Sequence, residues 1–167
     1  MTATIYTFGI GLDRTPEDLR ALIPEHLRDP LHCAIADIRR NRRSRNHAWD
    51  AVPSVLDWAC YRHVPTLANS WGAPVGARVP YMGQRLADAE LSSIASLLQG
   101  EETLGEVCVV LVCQCRELEE RYKRDGRLKS QCHRKPLAEE LARRTGAKVV
   151  HLGTETRGAY PKEAGEV

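Results

Sequence analysis

The run Val107-Cys108-Val109-Val110-Leu111-Val112 constrains this chain more than any other feature. It is continuously apolar and mostly β-branched, with no residue to turn toward water. Such a strand needs cover on both sides, as a central strand of a parallel sheet has. Other segments fit that sheet. Ala3 to Phe8 reads as a first strand, Leu31 to Ile38 as a second, Cys60 to Val64 as a short third and Lys148 to Leu152 as a last. Helical patterns alternate with them. Thr15-Pro16-Glu17-Asp18 is a helix start, with a Thr cap, Pro at the first position and acids in the first turn. That helix runs to about Leu22. Asp50 to Trp58 reads as a short helix, Asp88 to Gln99 as an amphipathic one and Arg116 to Arg124 as a charged, solvated one. His133 to Thr145 reads as a helix stopped by Gly146. Thr66 to Gly83 and Asp125 to Gln131 read as loops. The alternation implies an α/β, three-layer, Rossmann-like fold: a mainly parallel sheet with helices on both faces. Strand order is not readable from the pattern.

A chain of 167 residues fits one domain. The expected division is a single α/β domain over 1–153 and a polar tail over 154–167. No apolar run approaches the roughly 20 residues of a membrane span. Met1 to Thr7 enters a strand pattern without a charged leader, so no signal peptide is expected. The expected location is the cytoplasm, with no membrane partner. Oligomeric state is unknown at this stage. A net charge of +2 excludes a general polycation.

Six cysteines in a chain long enough to bury a core argue against a disulfide scaffold. Cys33, Cys60 and Cys108 sit in or beside apolar runs and read as buried small hydrophobes. Cys113, Cys115 and Cys132 differ, because turn and polar residues surround them. Ligands of open α/β sheets bind beyond the carboxyl ends of strands, where Cys113-Gln114-Cys115 lies. Cys132-His133-Arg134 then opens a helix on the same edge. A helix N-terminus and the charges of Arg134 and Lys135 favour a thiolate at Cys132, and such a turn also binds anions. Three readings stay open. Cys132 is a reactive thiol with Cys113 or Cys115 as partner. Or Cys113, Cys115, Cys132 and His133 bind zinc, although C-x-C with a distant C-H is not a standard finger spacing. Or the cysteines are small packing residues at a polar edge, with a disulfide appearing only on oxidation.

The second strand ends in Asp37-Ile38-Arg39, and five of the seven residues from Arg39 to Arg45 are Arg. Guanidinium groups bind phosphate bidentately, so this loop is a candidate anion site on the same edge. The plain alternative is a solvated basic loop. Asp37 is placed to pair with Arg39 or Arg134, or to cap the turn. Trp49 reads as a core residue, with base stacking as the alternative. His63 and His151 lie in strands; His63 leads into the long loop and is the better candidate for a general base.

Five motifs occur in order: Thr4-Ile5-Tyr6-Thr7-Phe8-Gly9, Asp37-Ile38-Arg39, Arg43-Ser44-Arg45-Asn46, Tyr61-Arg62-His63-Val64-Pro65 and Cys132-His133-Arg134. Together they resemble the family called domain of unknown function 488, over Thr4 to about Leu152. The resemblance implies two functional cysteines, here Cys113 and Cys132, and no settled activity. The chain departs from the pattern at Ile10, where members often carry His, and at Cys115 with the insertion between Arg116 and Gln131.

The expected function is a cysteine-dependent enzyme acting on a nucleotide or nucleic acid. Cys132 is the thiolate, Cys113 its partner and His63 the base. Arg39, Arg43, Arg45 and Arg134 hold the anion, with Asp37 beside them. The alternative is a phosphate- or nucleic-acid-binding module with structural or zinc-bound cysteines.

Overall fold

The computed structural model describes residues 2–43, 46–68, 83–100, 105–115, 121–122, 128–130 and 132–153. Its centre is a five-stranded, wholly parallel sheet. The strands are β1 (Thr2–Gly9), β2 (Cys33–Asp37), β3 (Cys60–His63), β4 (Glu106–Cys113) and β7 (Lys148–His151), in the order β3-β2-β4-β1-β7. The apolar run at 107–112 is the middle strand, buried throughout. The α/β, three-layer expectation is therefore met.

The two faces are filled by period-two alternation. Ile5, Ala36, Val109, Leu111 and Cys113 face one side. There α2 (Gln84–Leu98) and α3 (Arg134–Thr145) cover them with Leu91, Ile94, Leu98, Ala138 and Leu141. Tyr6, Phe8, Ile35, Val110 and Val112 face the other side. There α1 (Pro16–Leu22) and the segment around Trp49 and Trp58 cover them. Each large aliphatic side chain so buried contributes about 1.5–3 kcal/mol.

The predicted start of α1 is present as a capping box. The Thr15 hydroxyl accepts the Asp18 N–H, and the Asp18 carboxylate accepts the Thr15 N–H at 2.7 Å. α3 ends at Gly146, whose φ of 74° is the left-handed conformation that stops a helix at low cost.

Several expectations need correction. Residues 50–58 form no helix: a 3-10 turn spans His47–Trp49, and an isolated antiparallel bridge joins Val55 to Cys60. Pro53, with no N–H to give, disfavours continuation there. α2 begins at Gln84, four residues before the expected Asp88. Arg121–Tyr122 (β5) and Leu128–Ser130 (β6) pair as antiparallel strands, where a helix end and a loop were expected. Cys33 and Cys108 are buried, but Cys60 is exposed. It lies on the edge strand β3, whose outward positions are Cys60 and Arg62. The long loop expected at 66–83 lies mostly outside the described residues, as do the Arg116 side of the insertion and the 154–167 tail. No described helix is long and apolar enough to cross a membrane.

Candidate functional site

The carboxyl ends of β1, β2, β3 and β4 reach one edge of the sheet. Gly9 pairs with Cys113, and Asp37 with Val112 on one side and His63 on the other. Beyond that edge two clusters form, one on each face.

The first cluster is made of thiols. Alternation along β4 turns Cys113 toward α3, and Cys132 arrives from the segment entering α3. Both are buried, and their Sγ atoms lie 3.0 Å apart with either able to donate. The Cys113 thiol also reaches the Cys115 carbonyl at 3.8 Å. Cys115, two residues past the buried thiol, is exposed. Arg134 is fully buried; its Nη1 donates to the Cys115 carbonyl at 2.6 Å and to Cys113 Sγ at 3.7 Å. The guanidinium thus fixes the Cys113–Cys115 turn and puts positive charge beside the sulfurs. The same tie answers the expectation of Arg134 as an anion clamp, since one arm is committed to the protein's own backbone.

Charge divides unequally among the three thiols. Burial holds the Cys113 thiol well above its ordinary value. Cys132 is also pushed up, because hydrogen bonding to Cys115 and burial outweigh the help it receives from Cys113. Cys115 is pushed down, first by hydrogen bonding from Cys113 and Cys132 and then by the nearby charges of His133 and Arg134. Hydrogen bonds donated to a thiolate stabilise the charged form. The charge expected at Cys132 is opposed there by hydrogen bonding to Cys115 and by burial, and favoured at Cys115. Helix N-terminal position favours charge at Cys132, and hydrogen bonding to Cys115 with burial opposes it.

The second cluster is a buried ion pair on the opposite face. Asp37 and Arg39 are joined by a fork: Nε to Oδ1 at 2.8 Å and Nη2 to Oδ2 at 2.7 Å. Their side chains are 0% and 2% exposed. Tyr61, which sequence reasoning quoted only inside a motif, donates its hydroxyl to Asp37 Oδ2 at 2.5 Å. Burial and the Asp37 charge push the Tyr61 phenol far above its ordinary range. Arg39 also donates to the Trp49 carbonyl at 3.4 Å. Arg39 is thus a structural partner of Asp37 rather than an open anion ligand. Trp49 is a core residue, and its indole N–H donates to the Arg14 carbonyl at 2.8 Å.

The two clusters are linked through histidines. His133 Nε2 lies 3.3 Å from the Ile38 carbonyl, and His63 Nε2 lies 2.7 Å from the Arg39 carbonyl. An imidazole N–H donating there holds the 37–39 turn, so one nitrogen of His63 is occupied. Arg43 is exposed, and Arg45 lies outside the described residues. Asn46 was missed: it is buried and ties the loop down by donating to the carbonyls of Ile10 at 3.3 Å and Arg14 at 2.7 Å. Its signal was an Asn ahead of a short turn, since its side chain also accepts the Ala48 N–H.

A groove of about 270 Å³ opens between α2 and α3, with His133, Leu67, Gln84, Asp88, Glu140 and Arg144 among its walls. Cys113, Cys132 and His133 bring potential metal ligand atoms within 4.8 Å of one another. No family model, curated protein or solved structure matches the chain.

Proposed function

We propose that this chain is a cysteine-dependent enzyme of the kind its motif order resembles, domain of unknown function 488. In this reading it acts on an anionic ligand at the carboxyl edge of the sheet. One observation carries the reading: an exposed thiol, Cys115, stands beside two buried thiols whose sulfurs are 3.0 Å apart. A core needs no such arrangement, and a thiolate nucleophile profits from donors and a nearby guanidinium. Cys115 is the nucleophile, Cys113 and Cys132 are its proton donors and partners, and Arg134 supplies positive charge. The arginine loop, with Arg43 exposed, is the part that meets a nucleotide or nucleic acid. Free thiols in this number fit the cytoplasm, a reducing compartment.

The test is site-resolved alkylation by iodoacetamide at neutral pH. Cys115 is expected to react first, well ahead of the exposed Cys60. Equal rates at Cys115 and Cys60 would remove the nucleophile. For the ligand, salt-dependent binding of a short oligonucleotide is expected to weaken when Arg40, Arg43 and Arg45 are replaced by Ala. Binding indifferent to those changes removes the loop from the account.

A second reading has its own observation. The soft donors of Cys113, Cys132 and His133 are close enough to share one ion. This donor set fits zinc, which would hold the turn and α3 together as a structural centre. Elemental analysis separates the readings. One zinc per chain favours the second, and metal-free protein with a fast Cys115 favours the first.

A further inference from the structure

We infer that Cys113, Cys132 and His133 form a binding site for monovalent copper, which they hold in preference to zinc. The inference rests on the metal-binding reading above and changes the ion it takes.

The donor set carries the argument. Among the described residues, these three each bring a ligand atom within 4.8 Å of the others. Two are thiol sulfurs already 3.0 Å apart, so both can reach one ion. The third is an imidazole nitrogen. Such donors select copper or zinc over magnesium and calcium, which take oxygen ligands. Number and burial then separate the two metals. A structural zinc is almost always four-coordinate, and where the protein supplies three ligands a water takes the open position. Cys113 and Cys132 are 0% and 3% exposed, in the apolar cluster that includes Val64, Leu111, Ala138 and Leu141. Those surroundings give a metal-bound water few hydrogen-bond partners. Monovalent copper carries half the charge of zinc, asks less donation from its surroundings and is stable with few soft ligands.

The outer partners suit ligation. His133 Nε2 lies 3.3 Å from the Ile38 carbonyl, and an N–H donated there leaves Nδ1 its lone pair for an ion. Ligating histidines are oriented in this way, by a carbonyl on the other ring nitrogen. Arg134 Nη1 donates to Cys113 Sγ at 3.7 Å while held by the Cys115 carbonyl at 2.6 Å. A donor fixed beside a ligating thiolate offsets part of the charge left on its sulfur. Half-buried His133 also stands in the wall of the groove between α2 and α3, which gives an ion an approach to the thiols. Binding involves no electron transfer. The ion takes the two sulfurs and the imidazole, both thiol protons pass to solvent, and copper stays monovalent.

The experiment is done without oxygen. The reduced full chain is offered equal amounts of Cu(I), as its acetonitrile complex, and Zn(II). Gel filtration and elemental analysis then count the metals, and X-ray absorption reads the atoms bound to copper. One copper per chain, with sulfur and nitrogen neighbours and zinc only in traces, is expected. Titration against a chromogenic Cu(I) chelator gives the affinity. His133→Gln should lower it by about tenfold or more, because outer partners alone are worth roughly 10–100-fold. Cys132→Ser should lower it further, and Cys60→Ser, at an exposed thiol outside the site, should leave it unchanged. Circular dichroism serves as the folding control. Wild-type affinity in both His133→Gln and Cys132→Ser would place the copper on other thiols and overturn the inference. Zinc retained in place of copper overturns the inference and leaves the metal reading standing. A chain that holds neither ion sinks both.

Discussion

Cys113 and Cys132 are 19 positions apart in sequence, yet their sulfurs lie 3.0 Å apart beneath the start of α3. The contact arises because β4 ends by turning Cys113 toward the helix layer and α3 begins beside the same strand end. Cys115, two residues beyond Cys113, is exposed while these two are buried, so the three thiols differ in access. The protein's reactivity should follow from that inequality.

Alkylation should therefore show two pH regimes. A simple peptide thiol slows by about tenfold for each pH unit below its pKa of about 8.5. Cys115, whose pKa is lowered by donated hydrogen bonds, should keep its rate nearly constant from pH 8 to pH 6. Cys113 and Cys132 are raised, and should label only at alkaline pH or after unfolding. Mass spectrometry of peptides labelled at each pH measures this. A tenfold fall per unit at Cys115 would contradict the assigned thiolate.

The Asp37–Arg39 pair should matter for stability more than any surface ion pair. Asp37→Ala leaves the Arg39 guanidinium buried without its forked partner, a loss of about 3–5 kcal/mol. Urea denaturation should show it as a lower midpoint. A change below about 1 kcal/mol would mean that the guanidinium escapes to water.

Acid should weaken the seam between β1 and β7. His151 Nδ1 lies 2.7 Å from the Thr7 hydroxyl, and burial, with the charges of Arg134 and Lys135, lowers its pKa. A histidine lowered on folding gives stability that is present above its unfolded pKa of about 6.5 and is lost as pH falls through the folded value. Thermal melting at pH 7 and pH 5 should therefore diverge less in His151→Gln than in the wild type. An equal divergence would assign the acid loss to other groups.

The cap of α1 gives a prediction independent of the site. Thr15→Ala removes the oxygen that accepts the Asp18 N–H and should cost about 1 kcal/mol. Thr15→Asn or Thr15→Asp should recover most of it. Thermal melting of the three variants tests the order.

Much of this architecture was legible because it is local. A continuous β-branched run announced the central strand, the Thr15 cap announced α1, and Gly146 announced the end of α3. The short pair β5–β6 was less legible, since two- and three-residue strands carry no period to read. The same is true of residues 50–58, where tertiary burial of Trp49 and Trp58, not helical spacing, sets the path.

The sequence by itself determined which chemistry could gather at one edge. Strand ends and helix starts supplied Asp37, Arg39, Cys113, Cys115, Cys132, His133 and Arg134 in chain order. Only the tertiary structure decided how they divide. Strand alternation sends Asp37, Arg39 and Tyr61 to one side of the sheet and Cys113 to the other, so the expected anion clamp became a buried ion pair. Hydrogen bonding to Cys115 and desolvation then oppose at Cys132 the charge that its place before α3 would favour. Desolvation depends on every neighbour packed around an atom, and that sum exists only in the folded chain.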